Sequence, residues 1–351
     1  MLRSTVFALL ARSPRTTGTW RSTLNRSTNI GILCNRKQGL AMSANCSSQQ
    51  PQVVVVTGCS SGIGLATANL LAKDRGKRFI VYGSILGSLD EEQTFCETAG
   101  NALNDTLFPV RLDVTKDEDV EAAVAMVMEQ QGRIDILVNN AGICTKKALE
   151  TISMSDILRL YDINLFGYLR MMRAVLPIMK KQESGRIINM SSRNAIEGAP
   201  YMNIYTSSKF AIEGLSEETA VIGRFFNIWV SLIQPGAVST PINETMVSSG
   251  LGGLGSKSIS DNPDVHEIDR KLSMYRDHDL EWSKCPSITA EDVAHVVLRA
   301  ATDVKPHFRY QTQEAVAALA ERKYRDPTGD EFIDYSADRL RPFYGKVAGH
   351  E

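Results

Sequence analysis

The chain has 351 residues, an apolar fraction of 43% that suffices for a soluble globular core, and a formal net charge of −1 at neutral pH. This near balance of charge gives no electrostatic reason to expect nucleic acid or an anionic membrane surface as a partner, and since no run of about 18 apolar residues occurs, we expect no transmembrane span. The six cysteines and five histidines are scattered without a CxxC or HExxH pattern, which predicts a reduced, intracellular protein without a metal site.

Residues 1–50 differ from the rest of the chain because they contain no Asp or Glu. They are rich in Ser and Thr, and basic side chains recur along them: Arg3, Arg12, Arg15, Arg21, Arg26, Arg36 and Lys37. This composition is typical of a mitochondrial transit peptide and predicts a mitochondrial location, with a disordered tail that has no targeting role as the alternative. Translation from Met42 would omit the basic segment, and we expect that product to be cytosolic.

From residue 51 onward, short apolar runs alternate with longer helical patterns. The runs cover 53–56, 79–82, 107–112, 136–138, 186–190 and 228–233. The first run is uninterrupted β-branched sequence, typical of a strand buried on both faces. This alternation predicts an α/β fold with a doubly wound, Rossmann-type parallel sheet. We assign 51–312 to a single domain, with an insertion at about 243–286 as a substrate lid, and 313–351 to a C-terminal helical extension.

A glycine-rich turn, Thr57 to Gly64, follows the first predicted strand and opens a helix. Gly58 permits a sharp turn, Gly62 leaves room for a pyrophosphate, and Gly64 permits close packing of helix against sheet. The N–H groups at the start of the helix would meet the phosphates. Glycines also mark ordinary turns, but the strand before this turn and the helix after it favour dinucleotide binding.

Tyr205 and Lys209 lie four residues apart in a segment with a helical pattern, so their side chains share one face. Free tyrosine has a pKa near ~10. We expect the neighbouring ammonium to lower that pKa and to suit Tyr205 to proton transfer. Ser192 ends a predicted strand thirteen residues earlier, where its hydroxyl can hold the reacting oxygen together with Tyr205. A solvated surface pair is the alternative when Tyr205 and Lys209 are considered alone.

Taken in order, the motifs of this chain resemble those of the short-chain dehydrogenases/reductases from residue 52 to about residue 312. The shared motifs are Thr57 to Gly64, Asp113-Val114, Asn139-Asn140-Ala141-Gly142, Asn164, Ser192, Tyr205 through Lys209, and Pro235-Gly236 followed by Thr240. The resemblance implies an NAD(P)-dependent oxidoreductase that interconverts an alcohol and a ketone on a lipophilic small molecule, and it implies a homodimer. A nucleotide-binding scaffold with weak catalysis is the alternative, against which the intact Ser192, Tyr205 and Lys209 argue.

The same resemblance implies roles for individual residues. Ser192, Tyr205 and Lys209 would be catalytic, with Ser192 and Tyr205 also contacting the substrate. Asn164 would anchor a water molecule in the proton relay. The cofactor-binding residues would be Gly58, Ser60, Ser61, Gly62, Ile63, Gly64, Asp113, Val114, Asn139, Ala141, Gly142, Tyr205, Lys209, Pro235, Gly236 and Thr240. A strand-ending turn at 139–142, a helix-start acid at Asp113 and a helix cap at Thr240 are structural alternatives, and they are compatible with these roles.

The segment from Tyr82 to Gly87, at the end of the second predicted strand, bears on the choice between NAD and NADP. An acid there would bind the ribose 2′-hydroxyl and a basic residue would accept a 2′-phosphate, but the segment has neither. Similar proteins that prefer NADP carry an arginine at the position of Leu86. Ser61 can still meet a phosphate, whereas the acids at 90–92 would repel one. Both cofactors remain open, and the sequence slightly favours NAD.

Within the family, the chain resembles the branch of estradiol 17-beta-dehydrogenases and retinol dehydrogenases. The resemblance rests on 57–65, 205–214 and Lys305-Pro306. In the steroid enzymes a lid histidine and a glutamate after the last strand hold the far hydroxyl of the substrate, and His278 and Glu314 match them here. Such polar groups at the end of an apolar pocket orient a flat hydroxylated molecule. We therefore expect a steroid 17-hydroxyl or 17-ketone as the reacting group, with retinol or another lipophilic alcohol as the alternative substrate. For His278, the alternative to a substrate contact is an exposed position in a loop.

Overall fold

The computed structural model describes residues 50–242 and 287–325, together with Glu331 and Tyr335. Residues 1–49 of the predicted transit peptide lie outside the described residues. So do the predicted lid at 243–286, with His278, and most of the predicted C-terminal extension beyond Arg325. The expectations for these three segments stay predictions.

Within the described residues, seven parallel strands form one sheet in the spatial order β3-β2-β1-β4-β5-β6-β7. The strands are β1 Gln52–Val56, β2 Phe79–Ile85, β3 Leu107–Arg111, β4 Ile136–Asn139, β5 Gly185–Met190, β6 Ile228–Gln234 and β7 Arg309–Gln311. The order changes direction between β1 and β4, and at that point a doubly wound sheet leaves a crevice beyond the carboxyl ends of its strands. The predicted α/β fold with a doubly wound parallel sheet is confirmed.

Helices connect the strands and cover both faces of the sheet. They are α1 Gly62–Ala72, α2 Leu89–Ala99, α3 Asp117–Gln131, α4 Met154–Tyr161, α5 Gly167–Gln182, α6 Asn203–Gly223, α7 Ala290–Thr302 and α8 Glu314–Arg325. A π-helical turn, Asp162–Phe166, joins α4 to α5. Ser88 before α2 and Thr289 before α7 each form a capping box with an acid three residues later, which satisfies backbone N–H groups that a helix start leaves free.

The alternation of side chains along β1 explains its uninterrupted β-branched sequence. Val54 and Val56 face a core formed with α1 and α7, whereas Val53 and Val55 face a core formed with α3 and α5. All four side chains are at most 4% exposed, so β1 is buried on both faces, as its composition predicts. The sheet is held between two helical layers, and its carboxyl edge is a rigid base for a site.

None of the described helices is long and apolar enough to cross a membrane. The described ranges also contain no cluster of three or more His, Cys, Asp or Glu side chains that could hold a metal ion. Three cysteines fall within those ranges, Cys59, Cys96 and Cys144, and all three are free thiols.

Candidate active site

A cavity of about 1030 Å³ lies at the carboxyl edge of the sheet. This volume is at the upper end for small-molecule sites, so it accommodates a nucleotide and a second ligand. The predicted site residues that line it are Gly58, Ser60, Ser61, Gly62, Ile63, Asp113, Val114, Ala141, Gly142, Ser192, Tyr205, Lys209, Pro235, Gly236 and Thr240. Four further predicted site residues do not line the cavity: Gly64, Asn139, Asn164 and Glu314.

The turn after β1 depends on close approaches that only glycine permits. Gly58 has a φ of +71°, and a Cβ there would lie 2.7 Å from the Ala141 Cα. A Cβ at Gly64 would collide with the carbonyl oxygen of Gly58. Gly64 therefore acts behind the wall of the cavity, where it lets α1 pack directly against the turn.

Two polar residues that the motif analysis did not assign hold this turn in place. The Thr57 hydroxyl accepts hydrogen bonds from the backbone N–H groups of Asn140 and Ala141 at 2.9 and 3.1 Å. The Asn140 side chain donates to the carbonyl oxygens of Thr57 and Gly58 at 2.9 and 3.0 Å. The segments after β1 and β4 are thus joined across the switch point. Their place within two recognised motifs was a signal that could have identified them.

The start of α1 forms the adjacent part of the wall. Ser61 precedes the helix in an extended conformation, its side chain makes no capping hydrogen bond, and the first turn carries no acid. A helix start with uncapped N–H groups attracts phosphate. Because Ser61, Gly62 and Ile63 all line the cavity, the residues present fit the pyrophosphate of a dinucleotide.

The wall beyond β2 and β3 carries two carboxylates, Asp113 and Glu91. Asp113 accepts hydrogen bonds from the Thr115 backbone N–H and hydroxyl at 3.0 and 2.7 Å. Although burial opposes ionisation, these bonds hold the pKa of Asp113 below its ordinary value. Glu91 accepts hydrogen bonds from the backbone N–H groups of Gly87 and Ser88 at 3.2 and 3.3 Å. This end of the cavity suits the hydroxyl and amino donors of an adenosine better than it suits an additional phosphate.

Tyr205, Ser192 and Lys209 converge on one part of the wall. The Ser192 side chain lies close enough to the Tyr205 phenol to lower its pKa, and its Oγ accepts from the Asn194 backbone N–H at 3.1 Å. Lys209 Nζ lies 5.6 Å from the centre of the Tyr205 ring and donates to the Met190 carbonyl oxygen at 2.9 Å. Lys209 is only 3% exposed, so this is not a solvated surface pair.

Burial dominates the acidity of both ionisable groups. It raises the pKa of Tyr205 above the ordinary tyrosine value; nearby Cys144 raises it further and the Ser192 side chain lowers it. Burial lowers the pKa of Lys209 to about 8. The net pKa of Tyr205 in the protein without its cofactor is therefore raised, opposite to the direction expected from a neighbouring ammonium, because burial outweighs the other effects. Tyr205 is protonated at neutral pH.

Asn164 lies behind the wall, on the π-helical turn between α4 and α5. It is fully buried; its Oδ1 accepts from the Ile143 backbone N–H at 2.8 Å and its Nδ2 donates to the Ile143 carbonyl oxygen at 2.9 Å. Nδ2 also donates to the Ser208 hydroxyl at 3.3 Å. Asn164 thus fastens the segment after β4 to α6, and π-helical turns are frequent at functional sites. The water-anchoring role implied by the resemblance stays a prediction.

Asn139 also lies away from the cavity. It is the last residue of β4 and fully buried, and its Nδ2 donates to Asn189 Oδ1 on β5 at 2.9 Å. Its own Oδ1 has no hydrogen-bond partner among the described residues. Asn140 lines the cavity, and the cofactor contact that the resemblance implies for Asn139 stays a prediction.

Glu314, the predicted substrate contact, is an exposed residue in the first turn of α8. Its neighbour Gln313 makes the contact with the cavity wall instead. Gln313 Oε1 accepts from the Gly236 backbone N–H at 2.9 Å, and its Nε2 donates to the Ala237 carbonyl oxygen at 3.2 Å. Gln313 therefore supports the segment after β6, a role that sequence reasoning missed.

The wall beyond Tyr205 is largely apolar, and no motif indicated its composition. Ile143, Cys144 and Met202 line it. Burial raises the pKa of the Cys144 thiol to about 11, so this side chain is a neutral, weakly polar surface at physiological pH. Arg193 also lines the cavity, and it forms a buried ion pair with Glu197 at 3.0 Å. This part of the cavity suits a lipophilic ligand.

Comparison with known proteins relates the chain to one family of enzymes. A family model described as short chain dehydrogenase matches residues 52–249. Retinol dehydrogenase 8 from Bos taurus is 34% identical over 283 residues, which cover 81% of this chain and 88% of that protein. The 17-beta-hydroxysteroid dehydrogenase type 1 from Homo sapiens is 36% identical over 284 residues, which cover 80% of this chain and 83% of that protein.

Solved structures share the fold at lower identity. A short chain dehydrogenase/reductase from Burkholderia phymatum in complex with NAD superposes with a TM-score of 0.65 at 23% identity, covering 81% of this chain and 95% of that one. ElxO with NADP bound gives a TM-score of 0.61 at 23% identity, covering 77% of this chain and 100% of that one. At this identity the likeness concerns the fold alone.

Proposed function

The chain belongs to the short-chain dehydrogenase/reductase family of oxidoreductases, and from that premise we propose that it interconverts an alcohol and a ketone on a lipophilic substrate, namely a steroid. The observation that carries this proposal is the buried group of Tyr205, Ser192 and Lys209 in the wall of one cavity. The group lies between a nucleotide-compatible wall and an apolar wall, so a reacting carbon placed there would meet both ligands.

The side chains of the group divide the proton chemistry. The Ser192 hydroxyl and the Tyr205 phenol hold the substrate oxygen, and Tyr205 gives a proton to it in reduction or takes one from it in oxidation. A nicotinamide cofactor, when bound, donates or accepts the hydride at the adjacent carbon. Lys209 is fixed to the Met190 carbonyl oxygen, which keeps its ammonium beside the Tyr205 ring and ready to contact cofactor hydroxyls.

The raised pKa of Tyr205 favours ketone reduction at neutral pH. A protonated phenol is the form that donates in reduction, whereas oxidation requires the phenolate, which burial makes scarce. At neutral pH the Tyr205 side chain is therefore already in the form that reduction requires, whereas oxidation needs it to lose a proton first.

For the cofactor, the structure adds support to NAD over NADP. Leu86 and Glu91 line the cavity beyond β2, and Leu86 is 59% exposed, so an apolar side chain and a carboxylate occupy the region that a 2′-phosphate would need. Arg111 packs beside Gly87, but it does not line the cavity. We therefore propose NAD as the preferred cofactor.

For the substrate, a retinoid is the second candidate. Retinol dehydrogenase 8 and 17-beta-hydroxysteroid dehydrogenase type 1 are similar to the chain at nearly equal identity. Ile143 and Met202 offer apolar contacts to either molecule. We prefer a steroid because Arg193, which pairs with Glu197, brings a polar side chain to the cavity wall, and a second oxygen on a rigid ligand could use it.

Two further proposals concern assembly and location. Apolar side chains are exposed on α4, on the π-helical turn and near the end of α6, notably Leu158, Phe166, Val221 and Phe225. Exposed apolar residues mark association surfaces, which supports the homodimer implied by the resemblance; sedimentation velocity tests it.

The basic, acid-free composition of residues 1–50 supports a mitochondrial location, which fluorescent fusions that begin at Met1 and at Met42 would test.

The deciding experiment is a panel of 17-ketosteroids, hydroxysteroids, retinal and retinol, assayed with NAD(H) and NADP(H) in parallel. We expect turnover of a steroid with NADH to exceed turnover of retinal. Tyr205→Phe keeps the ring but removes the exchangeable proton, so it measures the background. Equal rates for the wild-type enzyme and Tyr205→Phe on every compound would refute the proposed chemistry, and a preference for retinal would refute the steroid assignment.

A further inference from the structure

α6 carries a buried carboxylate that the catalytic roles described above do not use. Glu213 follows Lys209 by four residues on this helix, so Tyr205, Lys209 and Glu213 share one face. Glu213 is only 6% exposed. A buried carboxylate is unfavourable unless hydrogen-bond donors surround it, and its partners therefore show what it holds.

Three donors from three strand ends converge on Glu213. Its Oε1 accepts from the Ser191 hydroxyl at 2.7 Å and from Gln234 Nε2 at 2.8 Å. Its Oε2 accepts from Arg309 Nε at 2.9 Å. Ser191 follows β5, Gln234 ends β6 and Arg309 begins β7. Gln311 on β7 donates in turn to Gln234 Oε1 at 2.6 Å, so a single polar network links the carboxyl ends of three strands to α6.

The partners of Glu213 adjoin catalytic and cofactor-facing residues. Ser191 immediately precedes Ser192, and Gln234 immediately precedes the Pro235-Gly236 segment of the cavity wall. One turn earlier on the same helix, Lys209 Nζ donates to the carbonyl oxygen of Met190. Two successive residues at the end of β5 are thus fastened to α6: Met190 through Lys209 and Ser191 through Glu213.

We propose that Glu213 is a positioning residue, which acts through Ser191 to hold the Ser192 hydroxyl against the Tyr205 phenol. This inference rests on the proposed alcohol–ketone chemistry, in which both groups contact the substrate oxygen. A displacement of about 1 Å at such a group can lower a rate by about 100-fold without altering the group itself. Glu213 does not line the cavity, so a positioning role predicts a much larger change in kcat than in cofactor affinity.

Glu213→Gln is the direct test, and Glu217→Gln is its matched control. The glutamine keeps the shape of the side chain but exchanges one acceptor oxygen for a donor, so Ser191, Gln234 or Arg309 loses its acceptor. Glu217 lies on the same helix and pairs with the same Arg309 at 3.5 Å, but its side chain is 67% exposed. For Glu213→Gln we expect kcat per cofactor-binding site to fall by about 10- to 100-fold with unchanged cofactor affinity, whereas Glu217→Gln behaves as wild type.

Two further measurements separate positioning from a general loss of structure. Hydrogen exchange of peptides that cover 188–196, measured without substrate, should be faster in Glu213→Gln and unchanged in Glu217→Gln. In a double-mutant cycle, Ser191→Ala should reproduce part of the loss in kcat, and the double variant should lose less than the product of the two single effects. Both readouts depend on the contact between Glu213 and Ser191 and not on overall stability.

The outcomes are distinguishable from failure of the proposed function. A wild-type enzyme inactive on the whole panel would reject the proposed chemistry, and exchange at 188–196 would still decide the role of Glu213. Unchanged exchange, unchanged kcat, or a loss of kcat matched by a loss of cofactor-binding sites would overturn the positioning role. Where Glu213→Gln fails to fold, Ser191→Ala decides: a folded variant with wild-type kcat and exchange overturns the proposal.

Discussion

The nucleotide half of the cavity and its proton-transfer half share one sheet edge, yet different contacts hold them. In the nucleotide half, Gly58 and Gly64 permit close backbone approaches, and the Thr57 hydroxyl fastens two turns together. In the proton-transfer half, hydrogen bonds between buried side chains far apart in sequence hold the wall in place. An example is the bond between Arg309 and Glu213, which are 96 residues apart. Substitutions should therefore affect cofactor binding in the first half and rate in the second.

Ser192→Ala should separate the halves most strongly. The substitution removes the hydroxyl that holds the substrate oxygen with Tyr205, and loss of one such donor lowers kcat by about 100- to 1000-fold. Cofactor affinity, measured by fluorescence titration, should stay within about twofold of wild type. Ser191→Ala, one residue earlier, is the control and should have a smaller effect. A comparable loss of cofactor affinity in Ser192→Ala would show that the two halves are not independent.

The pH dependence of the two reaction directions probes the proton-transfer half without a mutation. Because burial raises the pKa of Tyr205, the phenolate needed for oxidation should increase about tenfold per pH unit from about pH 6 to 9, and initial oxidation rates should follow it. Reduction uses the protonated phenol, so a fall in the reduction rate over the same range should follow only the loss of the Lys209 proton, whose pKa is about 8. An oxidation rate that levels off near pH 7 would show that a bound cofactor brings the Tyr205 pKa into the neutral range.

Gly64→Ala and Gly214→Ala place the same methyl group in helices of the two halves. At Gly64 the methyl group meets the Gly58 carbonyl oxygen, and such overpacking should lower the free energy of unfolding by about 1–3 kcal/mol and weaken cofactor binding. At Gly214 the added methyl group would have no described atom from outside its own helix within 4 Å, so alanine should stabilise α6 by about 0.5–1 kcal/mol. Urea denaturation measures the free energy of unfolding, and titration measures cofactor affinity. A change in the free energy of unfolding with the same sign at both sites would contradict this contrast.

The same contrast explains how much could be predicted from the sequence. The sheet, the turn from Thr57 to Gly64 and the Tyr205–Lys209 pair depend on local spacing, and the structure places them as expected. The hydrogen bonds of Glu213 depend on strands that meet only in the folded sheet. Side-chain position was harder to predict: Asn139 ends β4 and Asn140 begins the turn after it, and of these two neighbours only Asn140 lines the cavity.

Leu86→Arg tests the cofactor assignment of the nucleotide half. An arginine at this exposed lining position would accept a 2′-phosphate beside Glu91, and we expect the ratio of kcat/KM for NADP to that for NAD to rise by about tenfold. Leu149→Arg, an equally exposed leucine that does not line the cavity, controls for the added charge. A wild-type enzyme that already prefers NADP would reject the proposed cofactor and would direct attention to Arg111 as the phosphate-binding group.

The smallest expected effect concerns the end of β7, where two adjacent residues have opposite surroundings. Glu314 is exposed, so Glu314→Ala should change KM for any substrate by less than about twofold. Gln313→Ala should cost more, because the Gly236 N–H and the Ala237 carbonyl oxygen would lose their partner. Gln313 immediately precedes α8 and Glu314 begins it, so an assignment made before the start of α8 was known could select the wrong neighbour. A specific rise in KM for a steroid in Glu314→Ala would instead show that Glu314 reaches the substrate and would restore the role implied by the resemblance.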